Sequence, residues 1–361
     1  MGSLSSRRIV ESIVQVTGHV DRERLQASLA TTLYELLAVV DCAEFYRVFD
    51  TGQAPVLSLV ARASDQGTVL HSCERAGGPQ GEEAAELLAV EQVPGAGDCL
   101  SSRQALVVAQ PPLHHFLYPV FNAFHDLVGL LVLRTRQALS DADEHFVNAF
   151  LQIYRNYLRL IDESEHDALT RLYNRRTFDR DLGRMLEERP PGADQESPRN
   201  GRPSRRMAVA GARDWLAVMD IDFFKRINDR YGHLYGDEVL LLFANLMRGS
   251  FRCYDKLFRF GGEEFVVILK GTDLAGARAA LEQFRQAVAG YDFPQVGRVT
   301  VSIGFVDIDG QVLPAEVLGY ADAALYYAKE HGRNQVCYYR QLVAEGKIEP
   351  VAVRDSEVEL F

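Results

Sequence analysis

Acidic residues stand at the ends of two predicted strands in the second half of the chain. Asp220 follows the continuous apolar run 215–219, which is typical of a strand buried on both faces. Glu263 and Glu264 directly precede a second apolar run, 265–269. Desolvating adjacent like charges is costly unless a positive partner lies close by. If the two strands are neighbours, the carboxylates converge, and a cation is the expected partner.

A Gly-Gly pair, Gly261 and Gly262, precedes the double acid. The pair is typical of a two-residue hairpin, in which the acids would be only the solvated end of a strand. A hairpin needs no acids, however, and carboxylate oxygens with few other ligands suit Mg²⁺. Two such ions, roughly 3.5–4 Å apart, serve in-line displacement at phosphorus. We therefore expect a phosphoryl-transfer site.

Cations in the same half fit a polyphosphate. Lys225 follows the first acid, and Lys329 and Arg333 lie four residues apart at the end of a predicted helix. That spacing puts Lys329 and Arg333 on one helix face, from which both could reach one triphosphate. Taken alone, the same cations would be explained by complementation of the helix dipole and by ordinary solvation.

Length and composition exclude several classes of protein. The 361 residues suffice for two domains, and a formal net charge of −11 argues against a general nucleic-acid-binding protein. The five cysteines are widely spaced and form no CxxC, which argues against a disulfide framework or a zinc site. No stretch approaches the roughly 18 uncharged apolar residues of a membrane span. We expect a cytoplasmic protein with reduced thiols.

The first half, 1–139, is predicted to be a small α+β domain with one sheet face covered by helices. Helical spacing within 22–39 precedes strand-like runs at 42–49, 56–61, 105–109, 117–121 and 128–133. The last two runs resemble the closing hairpin of a GAF domain, a ligand-sensing module. The resemblance implies a GAF-like sensor domain, and the sequence does not identify its ligand.

A linking helix is predicted over 140–164, with Ser140 and Asp143 as a capping box. Its apolar residues alternate at spacings of four and three, as in the a/d seam of a coiled coil: Phe146, Phe150, Ile153, Tyr157 and Leu160. Either this seam pairs two chains in parallel or it packs on its own domain. The polar stretch 189–206, rich in Pro and Gly, predicts a disordered loop inside the second domain.

Five segments of the second half carry a resemblance to a known family. They are DALTRLYNRR from Asp167, DIDFFKRINDRYGHLYGD from Asp220, RCYDKLFRFGGEEF from Arg252, VTVSIGF from Val299 and ADAALYYAKEHGRNQV from Ala321. Together they resemble the GGDEF family of diguanylate cyclases, which join two GTP molecules into cyclic di-GMP. The resemblance implies a GGDEF domain over 165–345, with a ferredoxin-like nucleotidyl-cyclase fold, and a tail over 346–361.

The resemblance also implies roles for individual residues. Asp220, Glu263 and the backbone carbonyl of Ile221 would ligate two Mg²⁺ ions, or Mn²⁺ in their place. Glu264 would assist deprotonation of the ribose 3′-hydroxyl or bind metal. The remaining substrate-binding residues would be phosphate-binding Lys225, Lys329, Arg333 and the backbone of Phe223 and Phe224, guanine-reading Asn228 and Asp237, and Gly261 and Gly262, whose backbone can approach the nucleotide.

Dimerisation and feedback follow from the same resemblance. Each domain would hold one GTP, so catalysis requires a homodimer, which favours the intermolecular interpretation of the predicted seam. Arg252 and Asp255 form an RxxD that resembles the family's inhibitory site for cyclic di-GMP; its alternative is a surface ion pair of little consequence. The second arginine of that site falls on Gln283, with Arg285 nearby.

Two other functions are compatible with these residues. The first is a catalytically silent domain that serves as a receptor for cyclic di-GMP or GTP. The second is a cyclase for another purine nucleotide, since the guanine readers are inferred. The presence of the acids and of the phosphate-binding cations favours an active diguanylate cyclase.

Overall fold

A computed structural model describes residues 22–49, 55–72, 83–84, 87–122, 124–187, 212–252, 254–308 and 313–350. The chain divides into two compact units, Met1–Ser164 and Glu165–Phe361. The predicted loop 189–206 and residues 351–361 of the predicted tail lie outside the described residues. Within those residues, no helix combines the length and the apolar character needed to cross a membrane.

The first unit is built on a mainly antiparallel sheet. In chain order its elements are α1 (Arg22–Leu36), β1 (Val40–Phe49), β2 (Val56–Ser64), β3 (Gly67–Ser72), β4 (Glu83–Ala84), β5 (Leu87–Ala89), a 3₁₀ turn (Val90–Gln92), α2 (Ala96–Ser102), β6 (Leu106–Gln110), β7 (Leu113–Phe121), β8 (Leu127–Thr135) and α3 (Asp141–Glu165). The strand order is β4-β3-β2-β1-β8-β7-β6, and β5 pairs with β2. Strand β1 therefore lies between two antiparallel neighbours, β2 and β8.

Both faces of this sheet are covered, so the prediction of one covered face was wrong. On one face Phe45 packs in a core with residues of α1 and α3. On the other face Tyr46 packs with Val93 and Leu100, which belong to the short segment 90–102. That segment is too short to show a helical period in the sequence, which is why the second layer was missed.

Helix α3 packs on its own sheet with a stripe shifted by one residue from the predicted seam. The buried residues with a spacing of four and three are Val147, Leu151, Tyr154, Leu158 and Ile161. Of the predicted seam, only Phe150 is fully buried, whereas Leu160 is 56% exposed. The helix thus has two adjacent apolar stripes, and the inner one settles its packing within the unit. The capping box is confirmed: Ser140 N–H donates to Asp143 Oδ2 at 3.1 Å, and Asp143 N–H donates to Ser140 Oγ at 3.3 Å.

The second unit has a mixed α/β fold around a six-stranded sheet. Its elements are β9 (Tyr173–Asn174), α4 (Arg175–Glu187), β10 (Arg213–Ile221), α5 (Phe224–Tyr231), α6 (His233–Ser250), β11 (Lys256–Gly261), β12 (Glu264–Thr272), α7 (Leu274–Gly290), β13 (Asp292–Phe293), β14 (Gly297–Arg298), β15 (Val301–Asp307), α8 (Pro314–Glu330), β16 (Val336–Tyr338) and α9 (Tyr339–Ala344). The sheet order is β16-β15-β10-β12-β11-β9. Strand β10 is central and pairs antiparallel with β12 and β15.

Alternating residues of β10 face two separate cores. Ala217 and Met219 pack with residues of α6 and α7, whereas Leu216 and Val218 pack with residues of α4 and α8. Because side chains of a strand alternate with period two, Asp220 lies on the α4 and α8 face. The buried strand therefore delivers this acid towards α8.

Helix α8 approaches β15 closely at Gly304. A Cβ atom at this position would lie 2.2 Å from both the Ala321 carbonyl oxygen and the Leu325 nitrogen, which are backbone atoms of α8. Any side chain at Gly304 would therefore displace the helix. Gly319, on α8 itself, has open space where its Cβ would lie.

These two glycines give a matched pair of substitutions. We expect Gly304→Ala to lower the free energy of unfolding by about 2 kcal/mol, because overpacking against backbone forces α8 away from the sheet. Gly319→Ala should instead raise it by about 0.5–1 kcal/mol, because alanine favours a helix interior. Urea unfolding of both variants measures the difference. Equal stability of the two variants would contradict the close approach of α8.

Candidate active site

A buried ion pair lies at the end of β10. The Asp220 side chain is nearly buried, and Lys329 Nζ on α8 lies 2.7 Å from Asp220 Oδ2. Burial raises the pKa of Asp220 to about 6; the hydrogen bond and charge of Lys329 oppose this rise, and the charges of Glu263 and Glu264 add to it. The positive charge of Lys329 therefore favours the ionised form of Asp220.

The hairpin between β11 and β12 supplies the other two acids. Gly261 pairs with Glu264, so Gly262 and Glu263 form the turn. The turn therefore lies one residue later than the predicted pair Gly261 and Gly262. The reason is an irregularity in the register between Arg259 and Gly261, after which Gly262, with φ +48°, occupies the position that favours glycine.

Strand register brings the predicted acids together. Asp220 is directly opposite Glu264 in the antiparallel ladder, and the Ile221 N–H donates to the Glu263 carbonyl oxygen at 3.4 Å. Both glutamates act on the pKa of Asp220, which shows that their charges lie within electrostatic range. The acids that the sequence predicted at two strand ends therefore lie together, at the same end of the paired strands β10 and β12.

The oxygen donors at this edge fit a hard divalent cation. Carboxylates of Asp220 and Glu263 and the carbonyl of Ile221 are the ligand types that Mg²⁺ accepts. Within the described residues, no group of three or more His, Cys, Asp or Glu side chains could hold a metal ion by itself. An ion here would therefore take its remaining ligands from backbone, water and substrate, as Mg²⁺ commonly does.

Arg259 holds the hairpin turn and was not among the predicted site residues. Its Nε and Nη2 donate to the Gly262 carbonyl at 3.2 and 2.9 Å, and its Nη1 donates to Asp167 Oδ1 at 2.9 Å. The same Asp167 oxygen accepts the Thr170 N–H at 2.8 Å. Asp167 and Arg259 lie 92 residues apart, so no local pattern signals the pair. Arg259 thereby fixes the turn that carries Glu263.

The residues after β10 combine an aromatic platform with a helix N-terminus. Phe223 has φ +60° and is 47% exposed, and the guanidinium groups of Arg226 and Arg333 each lie 4.5 Å from its ring centroid. Phe224 is buried in the core, so only its backbone is available to a ligand. Lys225 is exposed on the first turn of α5, where the helix dipole favours an anion.

Lys329 and Arg333 do not share a helix face, contrary to the prediction. Helix α8 ends at Glu330, and Arg333 lies in the following turn with φ +58°, where its N–H donates to the Ala328 carbonyl at 2.9 Å. A tight turn had been interpreted as a continuing helix. Both cations still reach the end of β10, because Lys329 contacts Asp220 and Arg333 contacts Phe223.

The two predicted guanine readers lie on the helical hairpin of α5 and α6. A Cβ atom at Gly236 would lie 1.9 Å from Asn228 Oδ1, so Asn228 packs closely against the first turns of α6. Asp237 is the next residue and is exposed. The glycine thus permits the close approach that brings an amide and a carboxylate to one hairpin.

Arg252 and Asp255 line a pocket of about 270 Å³, together with Lys270 and Gln283. Asp255 accepts the Arg252 N–H at 2.9 Å and the Lys270 N–H at 3.1 Å, whereas Arg252 Nη1 donates to the Tyr254 hydroxyl at 2.9 Å. The aspartate is therefore held by backbone groups, and the guanidinium is bonded elsewhere. This differs from the simple surface ion pair considered for RxxD.

Helix α7 carries the two residues considered for the second arginine of that site. Gln283 lines the pocket. Arg285 instead donates to Glu282 on its own helix and to Asn334, in the turn after α8. In the described residues, the side chain that α7 contributes to the pocket at the position predicted for a second arginine is therefore the amide of Gln283.

Comparison with known proteins finds similarity to one family within the second unit. Residues 205–335 match the family described as "Diguanylate cyclase, GGDEF domain". Diguanylate cyclase DgcP of Pseudomonas aeruginosa is 46% identical over 124 residues, which are 34% of this chain and 18% of that protein. Diguanylate cyclase DgcM of Escherichia coli K12 is 39% identical over 174 residues, which are 48% of this chain and 38% of that protein.

A solved structure is similar to part of this chain. The GGDEF domain of DgcB from Caulobacter crescentus, in complex with c-di-GMP, is 31% identical; the match covers 49% of this chain and 96% of that one, with a TM-score of 0.41. The chain spans less than half the length of the two curated relatives named above. The family match over residues 205–335 lies within the second unit.

Proposed function

We propose that this chain, whose residues 205–335 match the GGDEF domain, is a diguanylate cyclase that condenses two GTP molecules into cyclic di-GMP and two pyrophosphates. The observation that carries the proposal is the meeting of Asp220, Glu263 and Glu264 at one sheet edge beside Lys329. Two curated relatives that are 46% and 39% identical to parts of this chain are named diguanylate cyclases.

In this proposal the cations and the helical hairpin bind the nucleotide. Lys225 and Arg333 bind the phosphates. The backbone N–H groups of Phe223 and Phe224, at the N-terminus of α5, bind them as well, because the helix dipole favours an anion there. Asn228 and Asp237 recognise the guanine edge, since a carboxylate accepts its N–H groups and an amide both donates and accepts. The exposed backbone of the turn at Gly262 leaves room for the ribose and phosphates.

The reaction joins a ribose oxygen of one GTP to the α-phosphorus of the other. Glu264 takes the proton of the 3′-hydroxyl, the oxygen attacks the partner's α-phosphorus, and the bond to the leaving pyrophosphate breaks; the same exchange in the other direction closes the ring. Asp220, Glu263 and the Ile221 carbonyl would hold Mg²⁺, or Mn²⁺ in its place. Two such ions per site would supply positive charge for the phosphoryl transfer.

Lys329 has two competing anionic partners in this proposal. In the structure its ammonium pairs with Asp220. With nucleotide bound, Asp220 would hold the metal ion, and Lys329 would be free to bind a phosphate oxygen. A flexible lysine side chain allows such an exchange without movement of α8.

The reaction requires two nucleotide sites that face each other, and hence a homodimer. The outer stripe of α3 supports a second copy as its partner. Leu160 is 56% exposed, and Phe146 and Tyr157 are only partly buried against the core of their own unit. These side chains follow the four-and-three spacing of a parallel coiled coil.

The first unit acts as a GAF-like sensor of a cytoplasmic ligand in this proposal. Its central antiparallel strands and the helices on both faces support a small sensing domain. Along the chain, helix α3 links the first unit to the second. Ligand binding to the first unit would regulate the cyclase through this helix. The second regulator is cyclic di-GMP itself, bound in the pocket beside Arg252 and Asp255.

The first test incubates the purified full chain with GTP and Mg²⁺ and measures cyclic di-GMP. We expect product from the wild type and a loss of roughly 10²–10⁴-fold in Glu264→Ala, because a general base contributes about that much. Glu91→Ala, an exposed acid of the first unit, is the matched control and should retain full activity. A wild type that binds cyclic di-GMP but makes none would support the receptor function instead.

The second test concerns feedback by the product. We expect Arg252→Ala to accumulate more cyclic di-GMP and to resist inhibition by added product, because a guanidinium at the pocket is lost. Arg298→Ala, an exposed arginine that bonds the Ala289 carbonyl, is the control. Unchanged inhibition in Arg252→Ala would reject the pocket as the inhibitory site.

A further inference from the structure

The turn after α8 has an unfavourable backbone conformation. Gly332, Arg333 and Asn334 follow one another with φ values of +109°, +58° and +46°. This left-handed region is sterically unfavourable for Arg333, whereas Gly332 and Asn334 tolerate it better. Other contacts must therefore hold the turn in this conformation.

Asp222 ties the turn to the sheet. Its carboxylate accepts the Asn334 N–H at 3.1 Å and the hydroxyl groups of Thr300 and Ser302 at 2.6 and 2.7 Å. The residue is 4% exposed, so these bonds are made in the protein interior. This contact anchors the Asn334 N–H to the sheet, whereas the Asn334 side chain has another partner.

Arg285 of α7 is that partner. Its Nη1 donates to Asn334 Oδ1 at 2.7 Å, while Nε and Nη2 donate to the two carboxylate oxygens of Glu282 at 2.9 and 2.6 Å. A bidentate pair fixes the plane of a guanidinium, so the third N–H is aimed at Asn334. The Arg285 side chain is 16% exposed, which distinguishes this cluster from an ordinary surface ion pair.

We propose that Arg285 is a positioning residue that holds the turn after α8, through Asn334, so that Arg333 is presented to the nucleotide. Arg333 lies in the turn itself, directly before Asn334, and its guanidinium lies over Phe223 at the end of β10. If the bond to Asn334 is lost, the turn can relax to less strained φ values and Arg333 leaves this position. Lys329 lies on the helix before the turn and is not affected. The proposal rests on the function proposed above, in which Arg333 binds phosphate.

The test measures binding of a non-hydrolysable GTP analogue with Mg²⁺ by calorimetry, using the full chain. We expect Arg285→Gln to raise the dissociation constant at least about tenfold, as for loss of one hydrogen bond to a charged group. Arg333→Gln should raise it at least as much. Because Arg285 acts through Arg333, the double variant should bind like Arg333→Gln alone. Arg278→Gln, on the same helix but bonded to Gln341, is the matched control and should bind like the wild type.

Two outcomes would overturn the inference: wild-type affinity in Arg285→Gln, or losses that multiply in the double variant. A destabilised fold would also weaken binding, but independently of Arg333. Should Arg285→Gln fail to fold, Asn334→Gly removes the same bond from the other side and tolerates positive φ. Its loss of affinity must likewise vanish when Arg333 is already substituted. Binding of the analogue is measured without turnover. A wild type that binds the analogue but makes no cyclic di-GMP would therefore reject the proposed cyclase function and leave the role of Arg285 open to the same binding test.

Discussion

The second unit depends on one electrostatic constraint, a nearly buried carboxylate at the end of its central strand. Burial alone raises the pKa of Asp220, and two glutamates placed at the same edge raise it further. An ionised Asp220 therefore requires a cation, and Lys329 meets this need in the structure. The site thus contains its own counter-ion for Asp220, the ammonium group of Lys329. In the proposed function, a metal-bound nucleotide takes the place of this counter-ion.

Several long-range contacts serve this arrangement. Gly304 lets α8 approach the sheet closely enough for Lys329 to reach Asp220. Arg259 fixes the turn that carries Glu263 by joining it to Asp167. Arg285 holds the turn that carries Arg333. Lys329, Glu263 and Arg333 are therefore each positioned by a residue from a different part of the chain.

The sequence predicted the acids and cations that lie near the end of β10 and the central strands, because these signals are local. A buried strand is visible as an apolar run, and an acid that follows it marks the strand end. The sequence did not predict the displaced turn at Gly262 and Glu263 or the end of α8 before Arg333, since register and helix ends depend on tertiary contacts. It also missed Arg259, whose partner Asp167 is distant in sequence. The predicted stripe of α3 lies one residue before the buried stripe, because the helix has two adjacent apolar stripes with the same period.

A crystal structure with a non-hydrolysable GTP analogue and Mg²⁺ shows whether Lys329 moves from Asp220 to a phosphate. We expect Lys329 Nζ to lie within hydrogen-bond distance of a phosphate oxygen and Asp220 to ligate the metal. Lys329 still paired with Asp220 beside a bound nucleotide and metal would rule out this exchange.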